Sequence, residues 1–167
     1  MPGRLPVRPT TDVAKEGLFN ILNNRIDYEE TKVLDLFSGT GGISFEFASR
    51  GCKTILAVDQ NVKCTGFISE FSKKMDFDNI RVLRSDAIRF LERGAEKYDL
   101  IFADPPFDFQ HHRRIVDLVF QNDLLEKKGI LIIEHSSKDR LNDFPNFLEN
   151  RKYGHVMFSF FGENDEE

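Results

Sequence analysis

Short apolar runs alternate along this chain with longer segments whose apolar residues recur at helical spacing. The runs are KVLDLF (32–37), TILAVD (54–59), IRVL (80–83), YDLIFAD (98–104) and GILIIEH (129–135). Each is rich in Val, Ile, Leu or Phe and is followed by polar residues, which predicts parallel strands covered on both faces. Between them, NVKCTGFISEFSKKM places Cys64, Phe67, Ile68, Phe71 and Met75 on one helical face. Shorter helices are predicted over SDAIRFLERG, over HHRRIVDLVFQ, and over GGISFEFASRG with its end at Gly51. Ahead of the first strand, Thr10, Thr11 or Asp12 can cap a helix carrying Ala14, Leu18, Ile21 and Leu22.

Strands alternating with helices in this way predict an α/β fold. After the fifth run the order changes, and NFLENRKYGHVMFSFFG reads as two strands joined by a tight turn at Tyr153-Gly154. So short a connection permits only an antiparallel pair. The expected architecture is a doubly wound, Rossmann-like sheet, mostly parallel with a C-terminal antiparallel hairpin. It would form one domain over residues 1–167, with 163–167 as an acidic tail.

Composition narrows the setting. No apolar stretch approaches the roughly 20 residues that cross a bilayer, and no secretory signal segment opens the chain, so a soluble, cytoplasmic protein without a membrane partner is expected. Cys52 and Cys64 have no CxxC partner or histidines at ligand spacing, which predicts buried thiols and no metal. A net charge of −5 argues against a general nucleic-acid binder. Much of that acidity lies in ENDEE, however, and Arg4, Arg8 and HHRR remain as local basic patches.

Two loops carry the candidate chemistry. In VLDLFSGTGGISFEF a strand holding Asp35 turns through Ser38-Gly39-Thr40-Gly41 into a helix, and glycines there let backbone approach a ligand. A dinucleotide fingerprint would need glycine where Ser44 stands, so an NAD loop fits poorly. D-x-F-x-G-x-G instead resembles motif I of the class I S-adenosylmethionine-dependent methyltransferases. Asp59, closing the next strand, suits the two ribose hydroxyls. Asp86 would reach the adenine amino group, or simply cap a helix, with the Ala87 amide facing the ring.

The second loop is DPPF (104–107), which resembles the [N/D/S]-PP-[Y/F/W] motif of enzymes that methylate exocyclic amines of bases. Asp104 and the Pro105 carbonyl can accept the two amino hydrogens and so aim the nitrogen lone pair. Prolines 105 and 106 stiffen the loop, and Phe107 offers a stacking face. A plain strand-ending turn is the alternative for this tetrapeptide alone.

LPVRPTTDVAKEGLFNIL resembles the R-P-T-x-D-x-x-(K/R)-E-x-L-F-N segment of the RsmD-type methyltransferases, which make N2-methylguanine at position 966 of 16S ribosomal RNA. With DPPF, IEHS (134–136 and its lead-in) and YGHVMFSFF, the resemblance spans nearly the whole chain. It implies S-adenosylmethionine as cofactor, held by Asp35, Phe37, Ser38, Gly39, Thr40, Gly41, Asp59, Gln60, Asn61, Asp86 and Ala87. Asp104, Pro105, Pro106 and Phe107 become the catalytic set. Arg8, Thr10, Thr11, His111, Arg113 and Arg114 would meet the substrate, which is 16S ribosomal RNA or a small-subunit assembly particle. The helix from Thr10 to Asn23 would lie over the cofactor's methionine end.

That family usually carries a basic β-hairpin ahead of Arg-Pro-Thr, and only MPGRLPV precedes it here, so a shortened RNA-binding surface beside an intact cofactor site is expected. Glu134-His135-Ser136 cannot form a hydrolase relay, because successive strand residues alternate faces; they are assigned to the edge of the substrate crevice. Adenine-N6 methylation and a catalytically silent RNA-binding scaffold are the rival functions, and a monomer is the expected state.

Overall fold

In the computed structural model, which describes residues 11–164, the elements run α1 (Asp12–Leu22), β1 (Lys32–Leu36), α2 (Gly42–Ser49), β2 (Thr54–Asp59), α3 (Val62–Lys74) and β3 (Ile80–Arg84). They continue with α4 (Ala87–Arg93), β4 (Tyr98–Ala103), α5 (His112–Gln121), β5 (Leu125–Ser136), β6 (Phe147–Tyr153) and β7 (Val156–Phe161). The seven strands form one sheet in the order β3-β2-β1-β4-β5-β7-β6. β1 to β5 pair in parallel, and β7 joins antiparallel between β5 and β6. This is the doubly wound sheet with a terminal hairpin that the pattern predicts.

Strand alternation divides the core into two layers. Val33, Leu100, Phe102 and Ile132 pack with Phe19, Leu22 and Phe47 of α1 and α2. Leu34, Leu36, Ile101, Ala103 and Ile133 point the other way, against Leu91 of α4 and Ile115 and Val119 of α5. Fully burying one such aliphatic side chain is worth about 1.5–3 kcal/mol, so these central rows hold β1, β4 and β5 most firmly.

The helix ends are set locally. Gly51 takes φ +84 after α2, and Cys52 N–H returns to the Phe47 carbonyl at 3.2 Å, a Schellman closure. Asp76 and Asp123 adopt the same left-handed conformation after α3 and α5, where no glycine is present to mark the stop.

Four expectations need correction. β3 is not covered on both faces: it forms one edge of the sheet, and Arg81, Leu83 and Arg84 are exposed. α3 buries Cys64 and Ile68, leaves Phe67 and Phe71 half-buried, and exposes Met75 as its last turn runs off the sheet. β5 begins at Leu125, four residues early, because Leu125 pairs with Tyr98 before the register shifts across a bulge containing Lys128 at φ +66. α1 spans Asp12–Leu22, capped by Thr11, and Thr10 lies outside the described residues together with Arg8. Both cysteines are buried free thiols, and burial pushes Cys52 up to about 12.

Among the described residues no helix is long and apolar enough to cross a membrane. Nor do three His, Cys, Asp or Glu side chains gather as a metal would require.

Candidate functional site

The direction of winding reverses between β1 and β4, which are parallel neighbours with Leu36 opposite Ala103. The loops leaving those two strands therefore start side by side at one rim, in the position where open α/β sheets take ligands. Asp104 N–H reaches back to the Leu36 carbonyl at 3.4 Å, and the Phe37 and Phe109 rings meet edge-on at 5.4 Å.

The first loop is tied down almost atom by atom. Phe37 sits at φ +57, a conformation that costs a non-glycine residue about 1–3 kcal/mol and that turns the chain sharply off β1. Ser38 then donates both its N–H and its hydroxyl to the Val58 carbonyl, at 3.0 and 3.1 Å. Gly39 N–H donates to Asp59 Oδ2 at 2.9 Å, and Asn61 N–H donates to Asp59 Oδ1 at 2.9 Å. Each carboxylate oxygen of Asp59 thus keeps a second lone pair for a hydroxyl donor. Gly41 at φ +85 opens α2, and a Cβ there would stand 2.8 Å from Ile68 Cγ1, so the turn has no room for a side chain. The cap residue Gly41 has no side chain to offer α2, and the Ser44 N–H of its first turn is held by the buried Asp35.

Asp35 lies beneath this loop at 1% exposure and accepts a hydrogen bond from Ser44 Oγ at 2.6 Å. Burial raises its carboxyl to about 7; the Ser44 hydrogen bond opposes the rise, while the nearby Asp59 and Glu134 carboxylates add to it. It supports the loop from inside the sheet. Ser44, set aside in the sequence because it is not glycine, is the partner that makes this burial tolerable.

The remaining cofactor candidates ring the same end of β2 and β3. Gln60 is exposed and its carbonyl accepts from Arg84 Nε at 3.2 Å. Asn61 caps α3, its Oδ1 accepting from Lys63 and Cys64 N–H. Asp86 caps α4 by accepting from Arg89 N–H at 3.0 Å while staying exposed, and Ala87 is buried behind it. Thr40 is buried at the turn.

The second loop has the opposite character. Asp104 is half-buried, Pro105 buried, Pro106 exposed, and Phe107 is 89% exposed. Phe109 N–H donates to the Pro106 carbonyl at 2.9 Å, closing a turn. Past it, His111 is exposed and His112 buried, the divergence expected of adjacent helix-start residues. Arg113 is drawn to Asp117 at 3.4 Å and over the Phe144 ring, and Arg114 is exposed. Thr11 caps α1 through Ala14 N–H. Glu134 and His135 are buried and fall on opposite faces of β5. Phe109 and Ser159 were missed in the sequence, while His112, read there only within HHRR, and His135, read as the crevice edge, are both buried; the apolar positions flanking HHRR are the one local signal of this.

Sheet order, switch point and paired rim loops define a class I methyltransferase-type fold. Residues 2–162 match the family described as Conserved hypothetical protein 95, and the chain belongs to that family. It is 30% identical to ribosomal RNA small subunit methyltransferase D of Haemophilus influenzae, over 80% of this chain and 70% of that protein. Its match to the protein of the same name from Buchnera aphidicola, also 30% identical, covers 78% of this chain and 66% of the relative, just under two thirds of its length. The solved yhhF protein of Escherichia coli superposes with a TM-score of 0.84 at 24% identity, covering 94% of this chain and 88% of that one, and so shares the fold.

Proposed function

We propose that the chain transfers a methyl group from S-adenosylmethionine to the exocyclic N2 of a guanine in 16S ribosomal RNA, the position-966 type of reaction. The observation that carries this reading is the meeting of the two rim loops, through Asp104 with Leu36 and Phe37 with Phe109. The residues present fit the cofactor: a turn with Gly39 and Gly41 at positive φ, which presents bare backbone, and the spare lone pairs of Asp59. When bound, S-adenosylmethionine would supply a methyl group on a cationic sulfur, and the Asp59 carboxylate at the rim offers a matching charge above Asp35, which burial raises to about 7.

The chain's own residues then hold and aim the base. Phe107 stacks on it, and Asp104 with the Pro105 carbonyl accepts its amino hydrogens, so that the nitrogen lone pair faces the methyl carbon. Asp104 would take the surplus amino proton and pass it to solvent as the methyl carbon goes to the base nitrogen and the neutral thioether S-adenosylhomocysteine is left. The rim is already assembled, so alignment costs little ordering at the moment of reaction.

Mass spectrometry of 16S ribosomal RNA nucleosides from cells with and without the gene tests the assignment. Loss of N2-methylguanine is expected; loss of N6-methyladenine instead would establish the rival base. Calorimetry with S-adenosylhomocysteine separates both from a silent scaffold, which would bind none.

A further inference from the structure

Behind the catalytic loop stands a row of four rings. Phe37 meets Phe109 at 5.4 Å, Phe109 meets His112 at 5.3 Å and 89°, and His112 meets His135 at 6.1 Å and 66°. His135 is the fixed end of the row. The Ser136 carbonyl 2.9 Å from its Nδ1 can only accept, so Nδ1 carries the proton and donates it. Nε2 then accepts from the Ser159 hydroxyl at 2.7 Å, which locks β5 to β7. Ser159 is fully buried, and His112, the first residue of α5, is 8% exposed. The row therefore runs from the sheet interior, through the start of α5, to both rim loops.

We propose that His112, braced by His135, is a positioning residue that sets Phe109, and through it the Asp104–Phe107 turn, against Phe37 and the glycine loop. This deepens the proposed methyl transfer and rests on it. The geometry gives His112 a task that a surface histidine would not have. Phe109 packs inward against the core beside α5, and its ring meets Phe37 of the glycine loop and the imidazoles of His111 and His112.

The row also works in one charge state. Burial lowers both His112 and His135 below the ordinary histidine value. Asp139, beyond β5, opposes this for both rings; His111 lowers His112 further, His112 lowers His135 further, and the hydrogen bond to the Ser136 carbonyl raises His135. Ser159 from β7 and Phe109 from the loop add no charge. A folded value below the unfolded one means that the stability tied to the neutral rings is complete above pH 6.5 and is lost as pH falls through the lowered folded value.

The test measures methyl transfer to 16S ribosomal RNA and to small-subunit particles, with S-adenosylhomocysteine affinity by calorimetry, for the wild type, His112→Ala and His112→Phe. His112→Ala should lower kcat about tenfold or more, leaving cofactor KM and S-adenosylhomocysteine affinity within about twofold. His112→Phe, which restores a ring without a titrating group, should recover most of kcat and move the acid limb of its pH profile. Unchanged kcat in the alanine variant, an equal fall in affinity and kcat, or a phenylalanine variant no better than alanine would each overturn the proposal.

Phe109→Leu interrupts the row while keeping an apolar side chain there, so the same kcat-only loss is expected even if His112→Ala does not fold; normal kcat would overturn the idea. If the wild type methylates neither substrate, the proposed function fails first. The row is then read by imidazole NMR, where S-adenosylhomocysteine should shift the His112 signals, and unmoved signals refute the coupling.

Discussion

The loops that leave β1 and β4 start side by side and are built on opposite principles. The glycine loop is closed by its own protein: Ser38, Gly39 and Asn61 all have their N–H groups satisfied by β2, and Asp35 is sealed beneath them. In the loop after β4, Asp104 N–H reaches β1 and Phe109 N–H closes a turn on Pro106, while Phe107 is left 89% exposed. The first surface is finished before any ligand arrives, whereas the second presents a ring that only a partner can cover. A prebuilt half suits a small ligand of fixed shape, and an open half suits a large one that brings its own surface.

Breaking the closed loop should have the largest effect. Asp59→Ala removes two charge-assisted hydrogen bonds, each worth about 1.5–3 kcal/mol, together with the acceptors proposed for ribose. Loss of calorimetrically measurable S-adenosylhomocysteine binding and a lower Tm are expected, and unchanged affinity would remove Asp59 from the site. Asp104→Ala should lower turnover about 10- to 150-fold, the worth of one charged hydrogen bond, with cofactor affinity intact. Full methylation by that variant would end its catalytic role.

Phe107→Ala gives up a stacking contact worth about 1–3 kcal/mol, which should appear as a raised KM for RNA with Tm unmoved, because the ring packs on nothing when exposed. A drop in Tm would show that the open loop is part of the core after all. The last prediction concerns pH. Asp35 rises from 3.8 to about 7 in the fold, so the folded chain binds more protons than the unfolded one across that interval. Its contribution to stability is complete below 3.8 and is lost as pH rises through about 7. Asp35→Asn should flatten that slope in denaturant titrations at several pH values.

Much of this was written locally in the chain. The β1 and β4 strands are largely apolar because they are buried on both faces, with Asp35 as the buried exception, and the glycine and proline punctuation after them has few other physical uses. What could not be read depends on partners far apart in sequence. Ser44 looks like a failed glycine until Asp35 is seen beneath it, and His135 looks like a strand-end polar residue until Ser159, 24 residues on, accounts for its Nε2. β3 has the composition of an inner strand, yet sheet order alone decides that it lies at an edge. The charged start of β5 reads as loop because its pairing with β4 is interrupted by a bulge.

The placement of β7 between β5 and β6 also bears on how the nascent chain assembles. β6 is translated before β7 but borders β7 in the sheet, so residues 147–153 leave the ribosome ahead of the neighbour that will hold them. Until 156–161 follow, β5 offers Leu131, Ile132 and Ile133 on an open strand edge to any passing chain. Whatever keeps 156–161 from docking, such as a cut or a frameshift before Val156, would leave that edge open and cost β6 its partner in the sheet.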